Sequence, residues 1–242
     1  MNRLKLPSAR FAAVLLLAVL FSGACGSDKA KVTGPGGSAN PAAPSLTSAQ
    51  TYVVLGASAV TNTGATAITG DLGVSSPGIG PTGFPPGTIT GNTHSGDASS
   101  AAAQGDLTPA YNTLAAQTCT TSLTGQDLGG MTLSQGVFCF TSSAQLTGTL
   151  TLNGDASSVF IFKIASALNT ASSSSVVMTG GSLARNVYWQ VGSSATLGSG
   201  TSFKGNIIAL TSVSLGTGAT LSGRAMARNG AVTMDANAIS MP

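Results

Sequence analysis

A short sequence motif that is present in three copies in the last third of the chain limits the folds that this sequence can adopt. Copies begin at Ala195, Val213 and Val232, so successive copies are 18 and 19 residues apart. This period is too short for a pair of helices but is sufficient for one coil of a β-solenoid. The repeat therefore predicts a stack of coils built from short strands.

Apolar and small polar residues alternate within each copy, as they do in β-strands. Phe203 and Leu221 each stand two positions before a glycine, and the preceding Ser202 and Thr220 point to the opposite side of a strand. We therefore expect one side of each coil to enter a core and the other side to present small hydroxyl-bearing residues.

Four segments, aligned at their opening residues, predict a ladder of small residues along one side of the stack. Equivalent side chains of neighbouring coils would be about 4.8 Å apart. The predicted ladder consists of Thr63, Ala65, Thr66, Thr170, Ser173, Ser199, Ser202, Thr217 and Thr220. Methyl groups order the water next to them and hydroxyls anchor it, so a rigid lattice of both could hold a water layer that merges with a crystal of water. The alternative is that threonine and serine are simply good strand formers on a solvated face.

Two stretches that are dense in aromatic and β-branched residues, 158–164 and 186–191, predict buried strands. Tyr188 and Trp189 lie in the second stretch. We assign both side chains to internal packing rather than to a platform for binding sugars.

Side chains for acid-base chemistry are scarce. All seven acidic residues are aspartates, and His94, in a polar loop where we expect it to be solvated, is the one histidine. A polysaccharide-cleaving solenoid enzyme would need carboxylates that converge in a groove, whereas most aspartates here stand at turns or helix starts, where they cap backbone amides. These aspartates are Asp71, Asp97, Asp106, Asp127, Asp155 and Asp235. The sequence therefore predicts no catalytic residues, no metal site and no cofactor.

The first 24 residues have the order of a secretion signal: basic residues, an apolar run from Phe11 to Phe21, and small residues up to Ala24. Cys25 follows at the lipid-acceptor position of a bacterial lipoprotein, although Ser22 stands where such sites usually have a larger aliphatic residue. We expect a secreted protein or a cell-surface or outer-membrane lipoprotein, attached to a membrane only through a lipid on Cys25. Removing residues 1–24 takes away three of the ten basic residues and leaves seven against seven acidic ones. Nucleic-acid binding then lacks its electrostatic basis.

The rest of the chain divides into a tether and one domain. Residues 25–48 are polar and contain proline and glycine, which predicts a flexible tether, and residues 49–242 form the predicted solenoid domain. Within this domain, the Pro- and Gly-rich stretch 75–96 is expected to cap the open end of the stack. Residues 97–117 have the alanine content and apolar spacing of a helix along its side. Thr108-Pro109 is either the start of a second helix or a kink in one longer helix.

Two cysteines, Cys119 and Cys139, remain in the exported part of the chain, and an even pair there predicts a disulfide. Its loop of about 20 residues would contribute on the order of 3 kcal/mol by constraining the unfolded chain. The rival interpretation is a metal-binding or catalytic thiol, which the single histidine disfavours.

Segments spread from about Ala49 to Ile239 resemble the microbial ice-binding protein family and occur in the family's order. The matching segments are Tyr52–Ser58, Thr69–Val74, Gly91–Asn92, Asp106–Leu107, Ala110–Tyr111, Leu123–Gly130, Leu133–Phe140, Val159–Phe162, Asn186–Val191 and Leu221–Arg224. The resemblance implies a mostly β fold, a discontinuous β-solenoid or triangular β-helix with one α-helix alongside. It further implies that the N-terminal strand packs among later turns, so that spatial order and chain order disagree.

The resemblance also implies a function, adsorption to ice crystals that inhibits ice growth and recrystallisation. Some family members carry Thr-Ala/Gly-x-Thr/Asn on the ice-binding face, a pattern that Thr63–Thr66 and Thr217–Thr220 match and Thr170–Ser173 and Ser199–Ser202 nearly match. Asp235 in the last copy departs from it, and its charge would disturb ordered water. The alternative function is a cell-surface adhesion module that binds carbohydrate or protein. In either case we expect a monomer.

Overall fold

The structure is a computed structural model that describes Met1 and residues 40–242. The predicted signal at residues 1–24, the acceptor Cys25 and the first part of the predicted tether lie outside the described residues. Residues 40–242 belong to one compact unit of the chain, which ends at Pro242.

The described residues form one α-helix, two short 3-10 helices and 21 strands. The helix α1 spans Ala98–Ala116, and the 3-10 helices span Thr47–Thr51 and Ala184–Asn186. The strands are β1 (Tyr52–Gly56), β2 (Ala59–Thr63), β3 (Ala67–Thr69), β4 (Asp71–Val74), β5 (Thr88–Ile89), β6 (Thr93–Ser95), β7 (Thr121–Ser122), β8 (Thr132–Leu133), β9 (Gly136–Phe140), β10 (Ala144–Leu146), β11 (Thr149–Asn153), β12 (Phe160–Ile164), β13 (Leu168–Thr170), β14 (Ser175–Thr179), β15 (Val187–Val191), β16 (Ala195–Leu197), β17 (Ser202–Ala209), β18 (Val213–Leu215), β19 (Thr220–Ala227), β20 (Ala231–Asp235) and β21 (Ala238–Ser240).

These strands pair in parallel and stack into three faces. The narrow face is the six-stranded sheet β10-β13-β16-β18-β20-β2. The open face runs in the order β8-β11-β14-β17-β19-β21-β3-β5, and the helix face runs in the order β7-β9-β12-β15-β17-β19-β1-β4-β6. The long strands β17 and β19 turn a corner, so their first halves belong to the open face and their second halves to the helix face. The predicted β-solenoid with a helix alongside is confirmed.

A glycine permits the corner in β17. Gly205 has φ +108°, and a Cβ at this position would lie 2.8 Å from the Cβ of Val187 in the neighbouring coil. A side chain would therefore force the two coils apart at the place where β17 bends.

The N-terminal strands stack on the C-terminal ones, so the solenoid is discontinuous as expected. Strands β1, β2 and β3 pair with β19, β20 and β21, and the inward Ile68 is in register with Ile239. Residues 75–96 follow at this end of the stack, where β5 pairs with β3 and β6 pairs with β4.

The register of the last coils follows the repeat spacing. Thr196 pairs with Ser214 and Ser214 with Thr233 on the narrow face, and the inward Phe203 pairs with Leu221. The alternation within the repeat therefore predicted correctly which of these residues share a coil position.

The core contains a row of stacked aromatic rings, one from each of four successive coils. The ring centroids of Phe138 and Phe162 are 5.2 Å apart, those of Phe162 and Trp189 are 3.9 Å apart, and those of Trp189 and Phe203 are 4.8 Å apart. Trp189 is fully buried and its indole N–H donates to the carbonyl of Lys204 at 3.0 Å. The assignment of this tryptophan to the core is confirmed.

Helix α1 covers the helix face with the apolar side that its spacing predicted. Asp97 caps its first turn by accepting from the Ser100 amide at 2.8 Å. Pro109 lies inside one continuous helix. Proline has no N–H to donate to the Gly105 carbonyl, and this missing hydrogen bond is tolerated because both residues are exposed to solvent. Among the described residues no helix is long and apolar enough to cross a membrane. The buried helix residues are Ser100, Ala103, Leu107, Ala110, Tyr111 and Leu114.

A disulfide joins Cys119, just after α1, to Cys139 in β9, with their Cα atoms 5.9 Å apart. The predicted pairing is confirmed. The ammonium of Lys163 also donates to the carbonyl of Gln117, so the exit of the helix is held by a covalent bond and a hydrogen bond.

The last residues of the predicted tether are packed against the domain rather than free. The side chain of Asn40 donates to the Ser157 carbonyl at 2.7 Å and accepts from the Val159 amide at 2.8 Å. Leu46 is buried, and the Ser48 amide donates to Asp106 at 3.0 Å. The expectation of a flexible tether up to Ser48 is therefore wrong for residues 40–48, because hydrogen bonds to distant segments hold this polar stretch.

A flat hydroxyl-bearing surface as the candidate functional site

The open face is a plane because eight short strands stack in parallel and every second side chain points outward. Inward residues of neighbouring coils, such as Phe203, Leu221 and Ile239, are buried directly beneath it. A well-packed layer under the surface fixes the positions of the outward side chains.

The first outward column crosses seven strands in register. All its members except two alanines carry a hydroxyl, and all are exposed except Ser175, which is half-buried. The hydroxyls of Thr149 and Ser175 are 2.9 Å apart. Ser202 and Thr220 of the predicted ladder meet in this column. Its members are Thr149, Ser175, Ser202, Thr220, Ala238, Ala67 and Thr88.

A second outward column runs beside the first, two residues further along each strand and therefore about 6.6 Å away. It has two segments that are in register within themselves. They are Thr132, Thr151 and Val177, and then Lys204, Ser222, Ser240 and Thr69. Lys204 is half-buried and is the charged member of the two columns.

Three other predicted ladder residues meet at the corner between the narrow face and the open face. Thr63 pairs with Asp235, and the Thr217 hydroxyl donates to the Asp235 carboxylate. The Gly200 amide, next to Ser199, donates to the Thr217 carbonyl at 3.0 Å. Thr63, Ser199 and Thr217 are exposed in this row, so they border the plane rather than lie within it.

Ala65 is exposed beside this corner row, but the neighbouring Thr66 is 1% exposed and cannot be a contact residue, which corrects its assignment to the ladder. Its hydroxyl donates to Asn62 Oδ1 at 2.5 Å and accepts from the Asn237 amide at 3.0 Å. The cause is one extra residue in the corner. Residues 63 and 67 pair with residues 235 and 238, so three residues lie between the paired positions in this coil and only two in the neighbouring coil. Thr66 turns inward to accommodate it.

Thr170 is also buried, with 7% exposure, and its assignment to the ladder is likewise wrong. Its hydroxyl lies 2.9 Å from the hydroxyl of Thr201 inside the corner. Ser173 is exposed, but Ser175 rather than Ser173 pairs with Ser202. The alignment at the opening threonines therefore placed this copy out of register.

Sequence reasoning missed most of the first column, including Thr149, Ala67 and Thr88. An alignment on the inward apolar residues would have found them, because Leu150, Val176, Phe203, Leu221, Ile239 and Ile68 each follow a column member directly. Core positions set the register of a coil, whereas corner residues vary in number.

The charged groups next to α1 form a local pair away from the open face. His94 Nδ1 lies 2.8 Å from Asp97 Oδ2, and the centroids of the His94 and Tyr52 rings are 5.4 Å apart, so the histidine expected to be solvated is half-buried and paired with an exposed aspartate. The Ser100 amide and then His94 lower the pKa of Asp97 to about 2. Among residues 40–242, no three His, Cys, Asp or Glu side chains are grouped so that they could hold a metal ion.

Within residues 40–242, the open face of the β-solenoid presents exposed hydroxyl and methyl groups in register, which defines a class of proteins that can contact an extended, repetitive surface. The comparisons with known proteins agree with this class. Residues 54–240 match the family described as Ice-binding-like, and the chain belongs to that family.

Relatives and solved structures support the assignment along most of the chain. An ice-binding protein of Nostoc sp. (strain HG1) is 54% identical over 198 residues, which cover 81% of this chain and 73% of the relative. An ice-binding protein of Flavobacterium frigoris (strain PS1) is 31% identical over 207 residues, covering 80% and 75% of the two chains. The crystal structure of an ice binding protein from an Antarctic biological consortium has a TM-score of 0.83 at 46% identity and covers 86% of this chain and 95% of that chain.

Proposed function

We propose that this protein adsorbs to ice through its open face and thereby inhibits ice growth and recrystallisation. The observation that carries the proposal is the two outward columns of the open face, the first in register across seven strands and the second in register within each of its two segments. The relatives and structural neighbours that bear the name ice-binding protein support it.

Regular spacing is what makes such a plane able to bind a crystal. Equivalent side chains repeat about every 4.8 Å along the stack and about every 6.6 Å across it, and the layer beneath holds them in place. Methyl and hydroxyl groups at these points can hold water in fixed positions, and the ordered water then joins the crystal. Thr63, Ala65, Ser199 and Thr217 would extend the contact at the corner, and Ser173 lies next to it.

The other two faces are less suited to this contact. Helix α1 covers the helix face, and its apolar side forms one buried cluster with Tyr188, Ile208 and Met226. The narrow face has three-residue strands over most of its height, and its central outward column includes the bulkier Gln145 and Asn169. The open face alone combines width, exposure and small side chains.

The test places fluorescently labelled protein on a growing ice hemisphere and measures its incorporation, together with thermal hysteresis. Thr220→Tyr introduces a bulky ring in the middle of the first column. We expect the ring to hold about two neighbouring coils on each side, or roughly 10 Å of the face in each direction, off the ice. Thr196→Tyr, at an exposed position of the narrow face, is the matched control.

The expected result is strong incorporation of the unaltered protein and of the Thr196 variant, with a severalfold lower hysteresis for the Thr220 variant. Circular dichroism should show the same fold for all three. Exclusion of the unaltered protein from ice would refute the proposal. A loss of hysteresis confined to the Thr196 variant would show that the narrow face, not the open face, contacts ice.

We further propose that the protein acts outside the cell as a monomer. Support comes from the N-terminal sequence, which has the order of a secretion signal, and from the disulfide, which is stable in oxidising compartments. Attachment through a lipid on Cys25 is the more specific version of this proposal. Mass spectrometry of the protein from its host would distinguish free protein cleaved after Ala24 from protein that carries a diacylglyceryl group on Cys25.

A further inference from the structure

A groove of ≈ 650 Å³ lies away from the two outward columns, between the segment 44–51 and the start of β15. Arg224 and Tyr188 line it, Arg185 and Asn186 belong to one side, and Met241–Pro242 line another part. Its volume is in the range of sites that bind small organic molecules.

Arg224 is 8% exposed, and three hydrogen bonds hold its guanidinium in this groove. Its Nε and Nη2 atoms donate to the Gln50 carbonyl at 3.2 and 2.6 Å, and its Nη1 atom donates to Asn206 Oδ1 at 2.7 Å. These contacts use three of the five N–H groups of an arginine and leave one N–H on each terminal nitrogen. Burial lowers the pKa of Arg224, which reflects a cation that has lost part of its hydration.

Two arginines and no aspartate or glutamate are among the described residues that line the groove. Arg185 is a second, exposed cation on the same groove, and no carboxylate of residues 40–242 lies within 4.0 Å of either guanidinium. A forked pair of N–H groups with fixed geometry is the arrangement that recognises a carboxylate.

The remaining lining resembles a sugar site more than a site for a bare anion. Side-chain hydroxyls and amides from Ser45, Thr47, Gln50, Thr51 and Asn186 line the groove together with the two arginines. We infer that this groove binds a carboxylate-bearing sugar, such as a uronic acid residue of an acidic polysaccharide, independently of the face that contacts ice.

The experiment uses isothermal titration calorimetry of the purified protein with a galacturonic acid trisaccharide, with neutral galactotriose and sodium acetate as comparisons. The expected result is binding of the acidic trisaccharide with a dissociation constant of about 1 mM or tighter, and much weaker binding of the other two. The NMR signals of the Arg224 Nη–H groups, which carry the two remaining donors, should shift during the titration.

Arg185→Gln removes the exposed cation and should weaken binding of the acidic trisaccharide by about tenfold or more, as expected for loss of a charge-assisted hydrogen bond. Lys204→Gln removes the same charge from the open face and should leave this affinity unchanged. The inference is overturned if the acidic trisaccharide does not bind, if galactotriose or acetate binds equally well, or if both variants weaken binding equally. Thermal hysteresis of Arg185→Gln should equal that of the unaltered protein, so failure here leaves the ice contact untouched.

Discussion

Replacing Thr66 by valine tests whether this residue is buried in the corner, as in the structure, or exposed on the ladder, as the repeat predicted. The Thr66 hydroxyl is the hydrogen-bond partner of Asn62 Oδ1 at 2.5 Å and of the Asn237 amide at 3.0 Å, while the Asn62 amide group donates to Gly64 and Gly83. Valine has nearly the same shape as threonine, so Thr66→Val opens no cavity. It does leave a buried acceptor and a buried donor without partners.

Each of the two unpaired groups costs about 1–3 kcal/mol, so we expect the free energy of unfolding to fall by about 2–6 kcal/mol. For a domain of this size that corresponds to a fall in Tm of about 4–24 °C. Urea unfolding followed by the fluorescence of Trp189, the single tryptophan of the chain, measures the change. Hysteresis of the folded variant near 0 °C should be unchanged, because Thr66 does not reach the surface.

The matched control is Thr220→Val, at an exposed position of the first column. It keeps the methyl group of threonine and replaces the hydroxyl by a second methyl, so stability should change by less than about 0.5 kcal/mol while hysteresis falls. The opposite pattern would refute the reasoning. If Thr66→Val left stability unchanged and abolished ice activity, Thr66 would be a contact residue and the register of the corner would be wrong.

Three further outcomes follow from single contacts. Replacing Cys119 and Cys139 by serine should lower the free energy of unfolding by about 3 kcal/mol in urea titrations, since the bond closes a loop with a sequence separation of 20; an unchanged midpoint would contradict this. Lys204→Thr removes a strongly hydrated ammonium from the second column and should raise hysteresis at equal protein concentration; a fall would show that the ammonium helps the contact. The pKa of Asp97 is lowered to about 2, so the ionised carboxylate stabilises the fold fully above about pH 4 and loses this contribution as the pH falls towards 2. Asp97→Asn should therefore flatten the acid limb of a stability–pH profile measured by circular dichroism.

The sequence predicted the parts of the fold that depend on short-range periodicity. Phe203 and Leu221 were expected to share a coil position because each stands two residues before a glycine, and they pair in the structure. Trp189 was expected in the core because its neighbours are β-branched and aromatic, and it is fully buried. In both cases the information lies within one coil.

The sequence did not predict the contacts that join distant segments. The last residues of the tether were expected to be free, yet Asn40 reaches Ser157 and Ser48 reaches Asp106. Nothing in a polar, proline-containing stretch indicates which distant carbonyl or carboxylate it will meet. The burial of Thr66 was missed for the same reason. It depends on how many residues form the corner around Thr66, and this corner packs against Asn237, which is 171 residues away in the chain.

This long-range assembly bears directly on the candidate ice contact. The strands β8, β11, β14, β17, β19 and β21 follow chain order, but Ala67, Thr69 and Thr88 come from the N-terminal part and stack beyond β21. Two of the eight strands of the open face are therefore added only when residues 67–89 dock on the C-terminal coil. Folding of the plane requires closure of a chain loop of more than 150 residues, and such non-local pairing is slow. The full width of the open face therefore depends on pairing between segments that are far apart in the chain.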